Sequence, residues 1–448
     1  MRQSARRAPP SEVGFAGRFR LWLAPGMRVK RYIAMAVLGG IIMSVAVVAS
    51  AIWLLADARN QLSGPIERIL VTEAWSRVGG FASVAIVLAG ATMLTRSVVQ
   101  LNRSLLSHWI PHPKEAAVLL HRRLQLSRGP RVVAVGGGTG LSNLLRGLRE
   151  STSNVTAVVA VSDDGGSSGR LREAFDMPAP GDLSDCLAAM SDQEVEVSRL
   201  MEFRFERGKE LEGHTFGNLL ITTLSEVEGD IAKASRVLNR LLNLSGAVWP
   251  VTPAPVSLVA RKEDGTVVTG ETSIRESEGS VADLSVLPDG VPAVPEVLVA
   301  LKSADLIVLG PGSLYSSVLP SLLVDEVRQV INETSAPVVY VCNIMTEAGE
   351  TDRFDAFDHV QAIHRHVGRF PDLVLVNRTP LDSARLAAYE LEDAEEVKVS
   401  VDRFNEHGVQ LAYADLLGPG RFAQHDSERL ATTLIELAEA SRSGVAIA

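Results

Sequence analysis

The pattern that most constrains this chain is a short run of Val, Ile and Leu that leads directly into a polar turn. It occurs at RVVAVGGGTG from Arg131, VTAVVAVSDDGG from Val155, DLIVLGPGS from Asp305 and PVVYVCN from Pro337, and DLVLVN follows from Asp372. Helical patterns separate these runs. Continuous apolar strands alternating with helices are typical of a parallel sheet covered on both faces. We therefore predict a Rossmann-like, three-layer α/β/α fold with a mainly parallel sheet over residues 130–448.

Two apolar runs precede this region. Residues 32–56 carry no charge, and 25 such positions are long enough to cross a bilayer. The second run, Gly79–Thr95, is shorter and rich in Gly and Ala, which lets helices pack closely in lipid. Basic residues flank both outer ends, so the positive-inside rule places those ends in the cytoplasm. The predicted organisation is a basic tail (1–31), a transmembrane hairpin (32–95), a linker (96–129) and a cytosolic ligand-binding domain (130–448) attached to the plasma membrane.

Charge and cysteine usage exclude several classes of protein. The net charge of −9 argues against nucleic acid as the main partner. Cys186 and Cys342 are far apart and lack metal-ligand spacing, so we interpret them as small core residues in a reducing compartment. His359, His364 and His366 follow on a predicted helix and are interpreted as surface residues.

Two further segments have clear local signals. The stretch SLVARKEDGTVVTGE predicts an antiparallel hairpin with Asp264-Gly265 at its turn, within a small subdomain or at a sheet edge. The segment SERLATTLIELAEA predicts an amphipathic closing helix.

The glycine turn Gly136–Gly140 is the first candidate binding element. Glycines allow positive φ and close approach of backbone to ligand, and the following helix offers free N–H groups to a phosphate. The dinucleotide fingerprint does not match, because Leu141 occupies its last glycine position. Asp163 ends the next strand, where a ribose-binding acid lies in dehydrogenases, so a nicotinamide enzyme stays open as an alternative.

The second candidate element begins at Asp163 and Asp164. Adjacent carboxylates at a strand end can hold Mg²⁺, a base edge or ribose hydroxyls. Asp182 is interpreted more readily as a cap for the helix Leu183–Met190 than as a ligand. His214 and Asn218 share one side if their segment is helical, which suits packing as well as catalysis.

The remaining polar turns follow later strands. Gly310–Ser316 suits a second anion or sugar contact, with Tyr315 able to stack or hydrogen-bond, and the loop from Asn343 supplies amide, hydroxyl, carboxylate and guanidinium groups. All these turns are expected to meet at the carboxyl edge of the sheet. The Walker A motif is absent from the sequence. The predicted ligand-binding residues are Gly136, Gly137, Gly138, Thr139, Gly140, Asp163, Asp164, Gly165, Gly166, Ser167, Ser168, Asp182, His214, Asn218, Gly310, Pro311, Gly312, Ser313, Tyr315, Ser316, Asn343, Thr346, Glu347, Thr351 and Arg353.

Six motifs together resemble one known family. VVAVGGGTGLSNLLRGL, VSDDGGSSGRLR, PGDLSDCL, GHTFGNLL, LGPGSLYSSVLPSLL and CNIMTEAGETD occur in that order over about residues 130–380 and resemble the gluconeogenesis factor family. That family is related to the 2-phospho-L-lactate transferases of coenzyme F420 biosynthesis. The resemblance implies a regulator that binds UDP-N-acetylglucosamine and links gluconeogenic carbon metabolism to peptidoglycan precursors and cell shape. It also implies a site built from the turns named above. The N-terminal hairpin departs from the many relatives that are wholly soluble.

Three functions follow from these observations. The leading one is a non-catalytic sensor, in which a bound UDP-sugar alters contact with a partner such as glucosamine-6-phosphate synthase, and a homo-oligomer is expected. The second is a transferase that uses Asp163 and Asp164 with Mg²⁺ to stabilise a diphosphate leaving group. The third is an NAD(P)-dependent enzyme. No cofactor is assigned with certainty, Mg²⁺ is kept open, no catalytic residue is assigned, and His214 is the best general-base candidate.

Overall fold

The structure is a computed structural model that describes residues 29–58, 73–106, 116–390 and 393–443. It forms two compact units, Met1–Arg122 and Arg123–Ala448, which are described separately.

The first unit contains two long helices, α1 (Val29–Ala58) and α2 (Glu73–Leu106). Small residues spaced seven apart are buried between them: Gly39 and Ala46 on α1, and Ser83, Gly90 and Ser97 on α2. A Cβ atom on Gly39 would lie 3.1 Å from the carbonyl oxygen of Gly90, so glycine is needed where the helices cross. This agrees with the close packing expected of the Gly/Ala-rich run.

Both helices are long and apolar enough to cross a membrane, judged by length and composition. Their other faces expose aliphatic side chains, including Val45, Val48 and Leu88. The helices extend beyond the predicted spans, and α2 continues into the segment predicted as a linker. That segment also contains helix α3 (Ala116–Leu126). The predicted linker is therefore largely helical within the residues described.

The second unit is built on a seven-stranded parallel sheet and a three-stranded antiparallel sheet, which confirms the predicted α/β class. The larger sheet has the order β10-β9-β8-β7-β1-β2-β3, and each neighbouring pair is parallel. The strands are β1 (Val132–Gly136), β2 (Val155–Val159), β3 (Ala247–Pro250), β4 (Ser257–Lys262), β5 (Val267–Thr269), β6 (Val281–Leu287), β7 (Leu306–Leu309), β8 (Val338–Val341), β9 (Leu373–Asn377) and β10 (Gln410–Ala414).

Helices cover both faces of the larger sheet. Alternate residues of β1 point to opposite sides: Val133 and Val135 join one apolar core, whereas Val132 and Ala134 join the other. The helices are α4 (Gly138–Ser151), α5 (Gly166–Phe175), α6 (Gly181–Met190), α7 (Glu194–Met201), α8 (Phe216–Glu228), α9 (Ile231–Leu241), α10 (Glu271–Glu276), α11 (Pro295–Ser303), a π-helix (Leu314–Val318), α12 (Leu319–Leu322), α13 (Asp325–Glu333), α14 (Ala356–Val367), α15 (Ser383–Glu390), α16 (Val401–His407) and α17 (Ser427–Arg442).

The C-terminal helix α17 packs on α4. A Cβ atom on Gly147 would overlap the carbonyl group of Ser427, so glycine is required at this crossing. Leu430 and Leu434 of α17 are fully buried, and each such side chain contributes about 1.5–3 kcal/mol when removed from water. The predicted closing helix is confirmed. Its packing on α4 holds the residues just before it beside α4, where the His425 carbonyl accepts the side-chain amide of Asn143.

The smaller sheet has the order β5-β4-β6 and contains the predicted hairpin. At the turn, Asp264 accepts a hydrogen bond from the Thr266 N–H, and Gly265 has a φ of +89°. Lys262 is buried behind this sheet, and its ammonium donates to the carbonyls of Ile274, Ser277 and Gly279. The hairpin prediction is confirmed.

Both cysteines are buried and free, as predicted, but the interpretation of the histidines was wrong in part. His359 and His366 are buried, because α14 packs this side against the sheet. The Nε2 atom of His366 accepts a hydrogen bond from the Leu284 N–H. His364 is only partly exposed and stacks on Phe370 with a ring separation of 3.9 Å.

Candidate functional site

The candidate site lies at the point where the strand order of the sheet reverses. β1 and β7 are neighbours, and successive strands are added outward from them in opposite directions. Crevices at the carboxyl ends of such strands are the usual ligand sites of open α/β sheets. The turns after β1 and β7 meet there. A Cβ atom on Gly140 would lie 2.5 Å from the carbonyl oxygen of Pro311, so glycine is needed where these turns touch.

The turn after β1 presents the N-terminus of α4. The helix begins at Gly138, whose φ of +58° favours glycine, and no side chain caps it from the preceding Gly137. The first helical hydrogen bond of the turn runs from the Leu141 N–H to the Gly137 carbonyl. The amides of Thr139 and Gly140 in this first turn and the helix dipole create a positive site for an anion.

Asp182 already contacts this turn. Its carboxylate accepts a hydrogen bond from the Gly138 N–H, and a Cβ atom on Gly137 would overlap it. Burial, then the charges of Asp163 and Asp185, raise the pKa of Asp182 to about 7. The prediction that Asp182 caps its own helix was wrong, because α6 begins at Gly181 and Pro180 holds the cap position. A tertiary contact has replaced the local one.

A cavity of about 330 Å³ opens beside the two turns. The loop after β8 and a segment that precedes α17 complete its wall. Ten predicted residues line it: Gly137, Gly138, Thr139, Gly140, Pro311, Gly312, Ser313, Asn343, Thr346 and Glu347. Eight others also line it and were not named individually as ligands: Asn143, Ser317, Ile344, Met345, Tyr389, Ala423, Gln424 and His425. Of these, Ile344 and Met345 lie within the site range Asn343–Thr351 that the family resemblance implies.

The β8 loop supplies the polar wall of this cavity. The Asn343 amide donates to the Glu347 carboxylate over 3.1 Å. Burial and the neighbouring charge of Glu350 raise the pKa of Glu347 to about 7, while a hydrogen bond from Ser313 and the charge of Arg275 oppose the shift. A carboxyl group in this state can donate or accept a hydrogen bond near neutral pH.

Several predicted residues serve the framework instead. Tyr315 is only 1% exposed, and its hydroxyl points to the Val281 carbonyl, so the predicted sugar contact is replaced by a core position. Glu350 accepts hydrogen bonds from the Tyr315 N–H and from Ser316, and burial raises its pKa. Thr351 is fully buried and accepts the Glu347 N–H.

Three other predicted residues also lie away from the cavity wall. Gly136 ends β1, and Gly310 follows β7 directly. Arg353, with a φ of +61°, lines a neighbouring hollow of about 630 Å³ that also contacts Thr346.

The loop from Asp163 forms a second polar cluster beside Asp182. Ser167 Oγ lies 2.9 Å from His214 Nδ1, and the Asn218 amide donates to the hydroxyls of both Ser167 and Ser168. Ser167 therefore bonds both Asn218 and His214, and the tautomer of His214 decides which of Ser167 and His214 donates. Burial, then the charges of Arg170 and Arg204, lower the pKa of His214.

His214 and Asn218 both bond Ser167, although they do not lie on one helix, because α8 begins at Phe216. None of Ser167, Ser168, His214 and Asn218 is among the described residues that line the 330 Å³ cavity. Gly165 and Gly166 lie at the start of α5 in the same loop, Gly165 as its N-cap.

The two adjacent carboxylates do not fit a shared magnesium site. Asp163 accepts the Gly165 N–H, whereas Asp164 accepts both the N–H and the hydroxyl of Thr272. The described residues contain no group of three His, Cys, Asp or Glu side chains placed to hold a metal. The predicted use of Mg²⁺ therefore gains no support from this pair.

Four of the cavity residues not named as ligands, Tyr389, Ala423, Gln424 and His425, lie outside the six motifs that predicted the site. Tyr389 is the penultimate residue of α15, and its hydroxyl accepts the Ala423 N–H. Gln424 and His425 directly precede Asp426, the residue that caps α17. Their only sequence signal is that cap. It predicts the start of a helix but not that these residues lie beside Gly138, which precedes His425 by 287 positions (425 − 138).

Comparisons with known proteins agree with this architecture. The 2-phospho-L-lactate transferase CofD family matches residues 132–417. A putative gluconeogenesis factor of Deinococcus radiodurans is 42% identical, covering 94% of this chain and 90% of that protein. The gluconeogenesis factor of Bacillus subtilis is 38% identical over 70% of this chain and 99% of that protein.

The fold has also been seen in a crystal structure. A Bacillus halodurans protein superposes with a TM-score of 0.67 at 40% identity, covering 69% of this chain and all of that one. The Deinococcus match includes most of the N-terminal unit. The Bacillus subtilis and Bacillus halodurans proteins each match 69–70% of this chain, a length close to that of the second unit alone.

Proposed function

This chain belongs to the gluconeogenesis factor family, a CofD-like family, and from that membership we propose that its cavity binds UDP-N-acetylglucosamine as a regulatory ligand. The observation that carries the proposal is the meeting of two glycine turns, at Gly140 and Pro311, beside a cavity of about 330 Å³. Small-molecule sites commonly enclose roughly 300–1,000 Å³.

The two sides of the cavity suit the two ends of such a ligand. The amides of Thr139 and Gly140 in the first turn of α4 favour a diphosphate. The opposite wall, with Asn343, Thr346 and Glu347, offers amide, hydroxyl and carboxyl groups that pair with sugar hydroxyls. In this proposal the second unit lies in the cytoplasm, held at the membrane by α1 and α2. A change in the loops on binding alters contact with a partner enzyme, such as glucosamine-6-phosphate synthase.

Titration calorimetry on the full chain in detergent tests the ligand. UDP-N-acetylglucosamine is expected to bind saturably and more tightly than UDP, inorganic diphosphate or NAD(P). An absence of binding by both UDP-N-acetylglucosamine and UDP, in protein with a cooperative melting transition, would refute the proposal. Tighter binding of NAD(P) would favour the nicotinamide alternative.

A transferase remains the second candidate because of the cluster around Ser167. The Ser167 hydroxyl lies 2.9 Å from His214 Nδ1, the spacing of a serine and the base that activates it. Incubation with UDP-N-acetylglucosamine and candidate acceptors, followed by mass spectrometry, separates the two functions. A sensor leaves the nucleotide intact. Steady release of UDP or UMP that is lost in His214→Gln would establish the transferase instead.

A further inference from the structure

Part of the cavity wall comes from a short stretch of chain, residues 417–425, which we call the wall segment. Its last three residues line the cavity. The Gly418 N–H donates to the Gln424 carbonyl over 2.8 Å, and Leu417 pairs with His425 in an antiparallel bridge. The wall segment therefore folds back on itself, with its two ends bonded to each other.

Helix α15 holds the wall segment at two points. Arg385 Nη2 donates to the carbonyls of Gly418 over 2.9 Å and Gly420 over 2.8 Å, and Arg385 Nε donates to Gly420 over 3.1 Å. The Tyr389 hydroxyl accepts the Ala423 N–H over 3.0 Å. Arg385 and Tyr389 are four residues apart, so they share one face of α15. That face is bonded to both the beginning and the end of the wall segment.

The chemistry of Arg385 suits this position. A guanidinium presents its N–H groups in one rigid plane, so one side chain can bond two carbonyls at once. The side chain is 16% exposed, and the Arg385 N–H donates to the carboxylate of Asp382, which directly precedes α15. Arg385 is not among the described residues that line the cavity. It is therefore a fixed attachment behind the wall and not part of its surface.

The apolar packing beneath this wall is small. Ile344, Met345 and Leu417 form a buried cluster separate from the two main cores, and Tyr389 and Ala423 pack against it. Regions with few buried apolar contacts open at free energies well below that of global unfolding. The position of the wall segment therefore depends strongly on its hydrogen bonds to α15.

We propose that Arg385 is a positioning residue, which holds the wall segment in the arrangement that receives the ligand by bonding the carbonyls of Gly418 and Gly420. This inference rests on the proposed function. Arg385 acts through the wall segment and does not contact the ligand. Without its bonds the wall is formed in only a fraction of the molecules, and the apparent affinity falls in proportion to that fraction.

Two substitutions separate the carbonyl bonds from the charge. Arg385→Met removes every donor and keeps a long unbranched side chain. Arg385→Lys keeps the positive charge, and with it any attraction to a diphosphate, but lacks the planar fork. Arg369→Met is the matched control. Arg369 also donates to two backbone carbonyls, those of Ile331 and Thr334, but it precedes β9 at the amino ends of the strands, away from the cavity.

Calorimetry with UDP-N-acetylglucosamine on the full chain in detergent measures the affinity. Arg385→Met is expected to lower it by about tenfold, as when the wall is formed in about one molecule in ten. Arg385→Lys is expected to lower it by about threefold, and Arg369→Met by less than about twofold. The melting temperature of Arg385→Met should stay within about 2 °C of the wild type, because the cluster under the wall segment is separate from the main cores.

Hydrogen exchange in the ligand-free proteins gives a second readout that is independent of the ligand. Peptides that cover the wall segment should exchange faster in Arg385→Met than in the wild type, because the N–H groups of Gly418 and Ala423 are bonded only while the segment is in place. The same peptides in Arg369→Met should exchange as in the wild type.

The outcomes distinguish this inference from the proposed function. If Arg385→Met binds as tightly as Arg369→Met, or Arg385→Lys as tightly as the wild type, the inference is overturned while the proposed ligand stands. A loss of affinity without faster exchange in the wall segment overturns it too, and so does a fall in melting temperature of more than about 4 °C, which indicates general destabilisation. If the wild type binds neither UDP-N-acetylglucosamine nor UDP, the proposed function falls. Exchange then decides alone whether Arg385 holds the wall segment.

Discussion

Replacing Gly138 by Ala tests the glycine turn most directly, because the protein itself leaves room for the added methyl group. A Cβ atom on Gly138 would have only Asp182 Oδ1 near it, at 3.6 Å. The cost to folding comes instead from the φ of +58°, a left-handed conformation that costs a residue with a side chain roughly 1–2 kcal/mol. Part of this is offset, because Ala has less freedom than Gly in the unfolded chain, by about 0.4–1 kcal/mol.

The expected effect on stability is therefore small, about 1 kcal/mol, or a fall in Tm of about 2–4 °C or less in a chain of this size. The effect on binding is expected to be larger. Gly138 lines the cavity at the first turn of α4, where a methyl group would hold a diphosphate away from the backbone. A tenfold or greater loss of affinity for UDP-N-acetylglucosamine, corresponding to at least about 1.4 kcal/mol, is expected.

Gly408→Ala is the matched control. Gly408 has a φ of +68° at the end of α16, and a Cβ atom there would have no neighbour within 4 Å. Both variants thus carry the same conformational cost, but only one changes the cavity. Thermal melting measures the cost, and calorimetry measures the affinity. Equal affinity in the two variants, with equal melting temperatures, would show that the diphosphate does not approach Gly138.

Three further predictions follow from the second unit. A protein that starts at Arg123 should be monodisperse without detergent and melt cooperatively; aggregation of well-expressed protein would contradict the division into two units. The pKa of Asp182 is about 7 in the folded protein, above its ordinary value of 3.8, so between these pH values the folded state binds a proton that the unfolded state has lost. The free energy of unfolding of the wild type should therefore fall as pH rises from about 4 to 7. Compared with Asp182→Asn, the fall should be on the order of 4 kcal/mol at most. Urea unfolding at several pH values measures this, and parallel curves for the two proteins would refute it. Gly147→Ala should destabilise the fold by about 1–3 kcal/mol, because the added methyl group overlaps the carbonyl group of Ser427. It should also weaken ligand binding, because His425 in the cavity wall shifts with α17. A rise in stability would contradict the packing of α17 on α4.

The sequence by itself determined the elements whose signals are local. The strand at Val132 and the glycine turn after it are adjacent in the chain, and apolar β-branched runs followed by glycine favour that conformation without help from distant residues. The hairpin at Asp264 and Gly265 formed where predicted for the same reason. The apolar runs near the N-terminus likewise predicted two long helices, because composition over some 20 residues suffices for that inference.

Only the tertiary structure decided what the polar residues do. Asp182 precedes a helical pattern and has the chemistry of a cap, yet its carboxylate bonds Gly138, which is 44 positions earlier. Tyr315 follows a glycine turn as a ligand contact would, yet the π-helix rotates it into the core. His425 has no motif around it, and it reaches the cavity only because Gly147 lets α17 pack against α4. Backbone conformation follows from neighbours in sequence, whereas the partner of a polar side chain is set by which distant elements pack together.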